Sequence, residues 1–258
     1  MAFALLKTKS FWSRLPIYDQ IDTNDCSSTV ICTLVSHENF KMIGKVKKYS
    51  RLFHYYNERN LEKNIESDTG GKLANGFIVL NKFGICEEHL WTHDKDITEK
   101  PSEECYDEAK KLPKYVVKKV HKNIEEIKYH LNNNRLLAVD MNLFKSFPMS
   151  NESDNILFNR TGIVPIPDET CIHSSGHAVV CVGYNDDYEL LIMRNSWGTS
   201  WGDNGYFYIP YGALKHDTFI ETLYCIAGVT TNEKLLDKQE DKLEKDADND
   251  ETIEGRRW

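Results

Sequence analysis

Apolar positions along this chain change their period part-way. Val30, Ile31, Leu34 and Val35 fall at helical spacing and predict a helix over Cys26–Phe40. Ser50 is a candidate cap for a helix running through Tyr56 and Arg59, and Ser102 for one reaching Leu112. Phe77, Leu80 and Phe83 share one face of a helix over Gly71–Phe83, with Gly84 as its stop. Beyond these, segments rich in Val, Ile, Leu and Tyr predict strands at Tyr115–Val120, Leu136–Leu143, His177–Tyr184, Glu189–Asn195, Tyr206–Ile209 and Leu223–Val229. One helix, Asn123–Asn132, interrupts them, and Gly183–Asp187 reads as a hairpin turn. Helices first and strands later predict an α+β fold, with a helical lobe over 15–113 and a β lobe over 114–229.

Composition sets the outer limits. The chain has 258 residues and a net charge of −8, half of it in residues 232–258. That tail holds ten acidic and six basic residues and few apolar anchors, so residues 230–258 are expected to be an acidic, disordered tail, with a short frayed helix around Lys234–Lys245 as the alternative. Residues 1–14 read as an N-terminal extension. No apolar run approaches the ~20 residues of a membrane span. The acidic balance argues against nucleic acid as a partner. Met1–Leu6 is too short for a signal-peptide core, so a cytoplasmic location is expected, or a virion-associated one for a viral protein. Seven cysteines, an odd and irregularly spaced set, exclude a full disulfide framework.

Three segments carry candidate chemistry. In Tyr18–Ser28 a loop containing Gln20 runs into a helix that begins at Cys26. A thiol there meets the positive end of the helix dipole, which favours thiolate, and unpaired backbone N–H groups able to bind an oxyanion. Ser175–Tyr184 places His177 early in a buried strand, after Gly176. Arg194–Tyr206 (RNSWGTSWGDNGY) combines Asn195 with two tryptophans and three glycines. Taken singly, each has a structural explanation: a small residue at a helix start, a core histidine, an aromatic-stapled loop.

Together these segments resemble the active-site blocks of papain-like cysteine peptidases, the cathepsin-like C1 family. The resemblance is nearest to the branch without a propeptide found in bacteria and large DNA viruses. It extends to Tyr49–Asn57, Ser67–Gly71 and Lys82–Cys86, and covers roughly residues 14–229. It implies a two-lobed fold with the active-site cleft between a helical lobe and a β-barrel-like lobe. It also implies a cysteine endopeptidase with Cys26 as nucleophile, His177 as base and acid, Asn195 orienting the imidazole, and Gln20 donating to the oxyanion. Trp197 would shield the His177–Asn195 contact, and Gly70, Gly71 and Gly176 would bind extended substrate. The partner so implied is a protein or peptide with an apolar side chain two positions before the cut. No cofactor or metal is needed, and a monomer is expected.

The departures are specific. Ile21 stands after Gln20, and Asn24-Asp25 before Cys26, where the family pattern has glycines and a serine. Asp25 puts negative charge beside a required thiolate and opposes it. Position 22 is Asp, not the cysteine of secreted relatives. His177 and Asn195 follow Cys26 by 151 and 169 positions, and an insertion over Ser146–Pro167 accounts for the length. Only about fifteen residues precede Pro16, so Phe11, Trp12 and Leu15 are candidates for a short plug in place of an inhibitory domain. Two rival readings stand beside this one. One is a peptide- or protein-binding module with impaired catalysis. The other is a zinc site at Cys171, His173, His177 and Cys181, weakened because strand neighbours four apart lie about 13 Å from each other.

Overall fold

Asp25 and Gly44 bracket the first helix, α1 (Cys26–Ile43). Gly44 ends it in the left-handed conformation that glycine adopts without a Cβ clash, its N–H donating to the Phe40 carbonyl. Every residue from Cys26 to Asn39 is buried, so α1 is enclosed on all sides rather than amphipathic. Ser50 caps α2 (Arg51–Leu61) by accepting from the Phe53 N–H at 3.0 Å. α3 (Leu73–Phe83) stops at Gly84, where a Cβ would lie 2.0 Å from the Ala109 carbonyl oxygen. α4 (Glu103–Ala109) is shorter than the sequence predicts. Asn123 caps α5 (Ile124–Asn132) through two backbone N–H groups.

This architecture comes from a computed structural model that describes residues 14–145, 147–148, 156–168 and 173–249. The strands are β1 (Lys114–Val120), β2 (Leu137–Phe144), β3 (His173–Asn185), β4 (Leu190–Arg194), β5 (Tyr206–Pro210) and β6 (Ile220–Thr230). They form one sheet in the order β1-β6-β2-β3-β4-β5. β2 pairs antiparallel with both β6 and β3, and β4 with both β3 and β5. The expected α+β class is what the chain adopts.

The chain divides into two compact units that are discontinuous in sequence. One takes in the chain up to Ile21 together with Lys119–Cys225; the other takes in Asp22–Lys118 and the chain from Ile226 onward. The contiguous lobes expected from the sequence differ from this. Residues just before Ile21 join the strands because Arg194 donates to the Leu15 and Pro16 carbonyls, and the Gly198 N–H donates to the Tyr18 carbonyl at 3.0 Å. Leu15 is therefore a core residue, not part of a plug; Phe11 and Trp12 lie outside the described residues.

The strand unit packs a core of Val139, Met141, Val179, Cys181, Leu191 and Met193 from the central strands against Ile127 and Leu131 of α5. Part of the segment expected to be an insertion also packs there. Phe158, on the short helix α6 (Ile156–Thr161), sits 5.1 Å from the Trp201 ring, and the Val164 N–H donates to the Tyr208 carbonyl.

The disordered tail is corrected. Residues Glu233–Asp248 form α7, capped by Asn232 and packed on α3. Its composition is polar, but Gln239, Leu243 and Ala247 recur at four-residue spacing and are all buried. Gln239 accepts from the Val117 N–H at 2.7 Å and donates to the Tyr115 carbonyl at 3.2 Å. Lys72 donates to the Ala247 carbonyl at the helix's C-terminal end, where the dipole favours a cation. Three well-placed buried side chains hold a helix that bulk composition assigns to solvent. Residues 250–258 lie outside the description. No described helix is long and apolar enough to cross a membrane.

Candidate active site

His177 lies within the paired stretch of β3, opposite Met141 of β2 and one residue after Gly176 opposite Asn142. Asn195 follows directly on the last residue of β4. This register brings His177 Nε2 within 2.7 Å of Asn195 Oδ1. The Ser196 backbone N–H donates to the same Oδ1 at 2.8 Å. An atom that accepts from an amide N–H is the side-chain oxygen, so His177 Nε2 carries the hydrogen and donates. Neutral His177 is thereby fixed in the tautomer with its lone pair on Nδ1.

Trp197 lies on the histidine, ring centroids 4.8 Å apart and planes 26° from parallel. Behind it the aromatic contacts continue to Trp201 at 5.0 Å and Phe147 at 5.9 Å, and the Trp201 indole donates to the Pro148 carbonyl. His177 and Asn195 are both buried, so the contact operates in low dielectric, where it is stronger than in water.

Gln20 belongs to this same unit. Its backbone N–H donates to the Ser196 carbonyl at 2.9 Å, and its Oε1 accepts from the Ser196 hydroxyl at 2.6 Å. Asp19 bridges to Trp197, so the segment before Ile21 is stitched to the loop carrying Asn195. Ile21 itself has φ +51° and is 74% exposed. A β-branched residue in the left-handed region is strained, by about 1–2 kcal/mol. Because the side chain packs on nothing to offset this, Ile21→Gly is expected to raise stability by about 0.5–1 kcal/mol, after the extra chain entropy of glycine. Urea unfolding measures it, and an unchanged or lowered midpoint contradicts the strain.

Cys26, Gly70 and Gly71 lie in the other unit. Cys26 is the first residue of α1, is buried and is not in a disulfide. The residue two before it is tied firmly. The Asn24 N–H donates to the Asp68 carboxylate at 3.1 and 3.2 Å, and its side-chain amide to the Asp68 carbonyl at 2.8 Å. Tyr55 also donates to Asp68, and its oxygen accepts from the Gly70 N–H at 3.0 Å. Asp68 and Tyr55 thus link the start of the cysteine helix to the Gly70 segment.

Gly71 is fixed by packing. A Cβ there would meet Glu58 Oε2 at 2.4 Å and Ser27 Oγ at 2.8 Å. Glu58 is wholly buried and accepts from the Ser27 and Ser28 hydroxyls at 2.7 and 3.0 Å, with His54 Nδ1 3.2 Å from its other oxygen. A Cβ at Gly76 would meet that other oxygen at 2.5 Å. Two glycines therefore vacate the space that one buried carboxylate fills.

The sequence reading missed Tyr55, Glu58, Asp68 and Ser196. Tyr55, Asp68 and Ser196 were inside quoted segments without these roles, and Glu58 was outside them; the partners of Tyr55, Glu58 and Asp68 include residues 13 to 44 positions away. Among the remaining described cysteines, burial pushes the thiols of Cys32 and Cys86 well up and that of Cys181 up to about 12. These three are inert at neutral pH. Cys171 lies outside the described residues.

The sequence pattern described as papain family cysteine protease matches residues 42–225, which include His177, Asn195 and Trp197 and begin after Cys26. An uncharacterized peptidase C1-like protein of Acanthamoeba polyphaga mimivirus is 34% identical over 238 residues, 88% of this chain and 75% of its own length. Among solved structures, xylellain, a cysteine protease from Xylella fastidiosa, matches with a TM-score of 0.76 and 27% identity over 85% of each chain. The Carica candamarcensis cysteine protease CMS1MS2, solved in complex with E-64, matches with a TM-score of 0.57 over 83% of this chain and 93% of its own. At 17% identity it supports the fold alone.

Proposed function

Since the chain belongs to the papain family of cysteine proteases, we propose that it is an endopeptidase working through a thioester at Cys26. His177 Nδ1 takes the Cys26 thiol proton, the sulfur attacks the scissile carbonyl carbon, an S–C bond forms, and the carbonyl electron pair moves to oxygen. The Gln20 amide and the Cys26 backbone N–H receive that oxyanion. Collapse breaks the C–N bond, and His177 gives its proton to the leaving amine. Water, deprotonated by His177, then attacks the thioester, releasing the carboxylic acid and restoring the thiol. Gly70, Gly71 and Gly176 supply backbone to extended substrate.

The observation that carries this reading is the His177–Asn195 contact with its oxygen fixed by the Ser196 N–H. With the lone pair on Nδ1, this contact supports His177 as the base. The rival reading as a binding module drew on Asp25 beside the nucleophile, and Arg51 and His93 against that carboxylate weaken it.

The test is labelling by E-64. Stoichiometric modification at Cys26, lost in His177→Ala, is the expected result. Absence of label in folded protein would favour the binding module.

A further inference from the structure

The carboxylate of Asp25 immediately precedes Cys26 and is completely buried. It does not cap α1, although it stands at the capping position; no side-chain bond reaches the helix N–H groups. Its Oδ2 turns away, 2.9 Å from His93 Nε2 and 3.8 Å from an Arg51 nitrogen. Its Oδ1 is buried without a hydrogen-bond partner. A buried carboxylate so placed, on a chemistry that needs a second anion next door, is costly unless its charge is matched.

The surroundings contain three elements. α2 supplies Arg51. The segment between α3 and α4 supplies His93 and Glu88, whose carboxyl burial pushes up against the opposing pull of Arg51 and His93. From α1 itself comes the thiol of Cys32, held protonated by burial. Glu58 of α2 adds a more distant negative charge felt at Cys32. Arg51 thus faces two carboxylates, Asp25 and Glu88, and cannot balance both. His93 makes the shorter contact with Asp25 and is the more accessible of the two partners, its side chain 15% exposed against 6% for Arg51.

We propose that His93 is a positioning residue for the nucleophile, acting through Asp25. It clamps the residue before Cys26 at the helix entrance and, held against Oδ2, offsets the carboxylate that would oppose the thiolate. This rests on the reading of Cys26 as nucleophile. Nothing in the motif around Cys26 points to His93, which lies 68 positions from Asp25.

The experiment reads the thiolate directly. Alkylation of Cys26 by iodoacetamide is followed peptide by peptide from about pH 5 to 9, beside kcat/KM on a peptide mixture. In His93→Ala the acid limb of both profiles is expected to move up by about one pH unit, a roughly tenfold loss of rate at a fixed pH below the limb. His93→Gln, closer in size and uncharged, moves it the same way and carries the test should the alanine variant not fold. Asp25→Asn moves the limb down, and in that background His93→Ala moves it no further. Rates lowered equally at every pH, with the limb in place, would reduce His93 to a structural role and overturn the proposal alone. A Cys26 that does not react in the native protein overturns the nucleophile reading and this proposal together.

Discussion

Cys26→Ala loses peptide hydrolysis, with kcat/KM expected to fall by at least about 10⁴-fold. The size follows from the proposed route. Without sulfur there is no acyl-enzyme, and His177 and the oxyanion donors can only assist a direct attack by water. The side chain is small, so stability should change by no more than about 1 kcal/mol. Loss of activity with an intact melting curve then isolates the chemistry from the fold. Turnover within tenfold of the native protein would place the nucleophile elsewhere. Cys32, Cys86 and Cys181 are poor substitutes because burial holds each of them as a thiol. The substrate panel should be broad, since the pocket that reads the substrate side chain was not legible from the sequence.

Gly71→Ala has the largest expected effect on stability, about 2–3 kcal/mol of destabilisation. The new methyl group would stand 2.4 Å from Glu58 Oε2, and the carboxylate has nowhere to go. Gly76 closes the space at its other oxygen, and Ser27, Ser28 and His54 hold it in place. Moving Glu58 would strand those buried groups, which costs more than a simple clash. A fall in melting temperature of roughly 5–10 °C is the expected readout. A variant melting within about 2 °C of the native protein would mean that Glu58 can relocate. Gly71 then has two reasons to be glycine, a packing reason facing Glu58 and a proposed backbone contact with substrate.

Much of the fold could be read from residue patterns because its elements carry their own punctuation. Ser50, Asn123 and Gly84 mark ends that the structure reproduces, and the helix and strand spans agree to within a few residues. The expected His177–Asn195 contact forms because Asn195 directly follows β4, the antiparallel neighbour of β3. What could not be read is long-range charge balance. Asp25 looked like a liability because its sequence neighbours offer no cation, and both its partners arrive from elsewhere in the chain. Glu58 was silent for the same reason. The tail misled in the opposite way. Its average composition is that of a solvated segment, and three side chains in register outweigh the average.

That tail helix also bears on how the protein behaves among its neighbours. β1 is the last strand of the sheet, and a terminal strand presents unpaired backbone groups on which another chain can template. Here the Tyr115 N–H and carbonyl are met by the Asn81 side chain, and the Val117 N–H by Gln239. Two carboxamides thus imitate the backbone of a strand that is not there. The highly charged helix bearing one of them lies against this edge, where its side-chain amide stands in for a neighbouring strand.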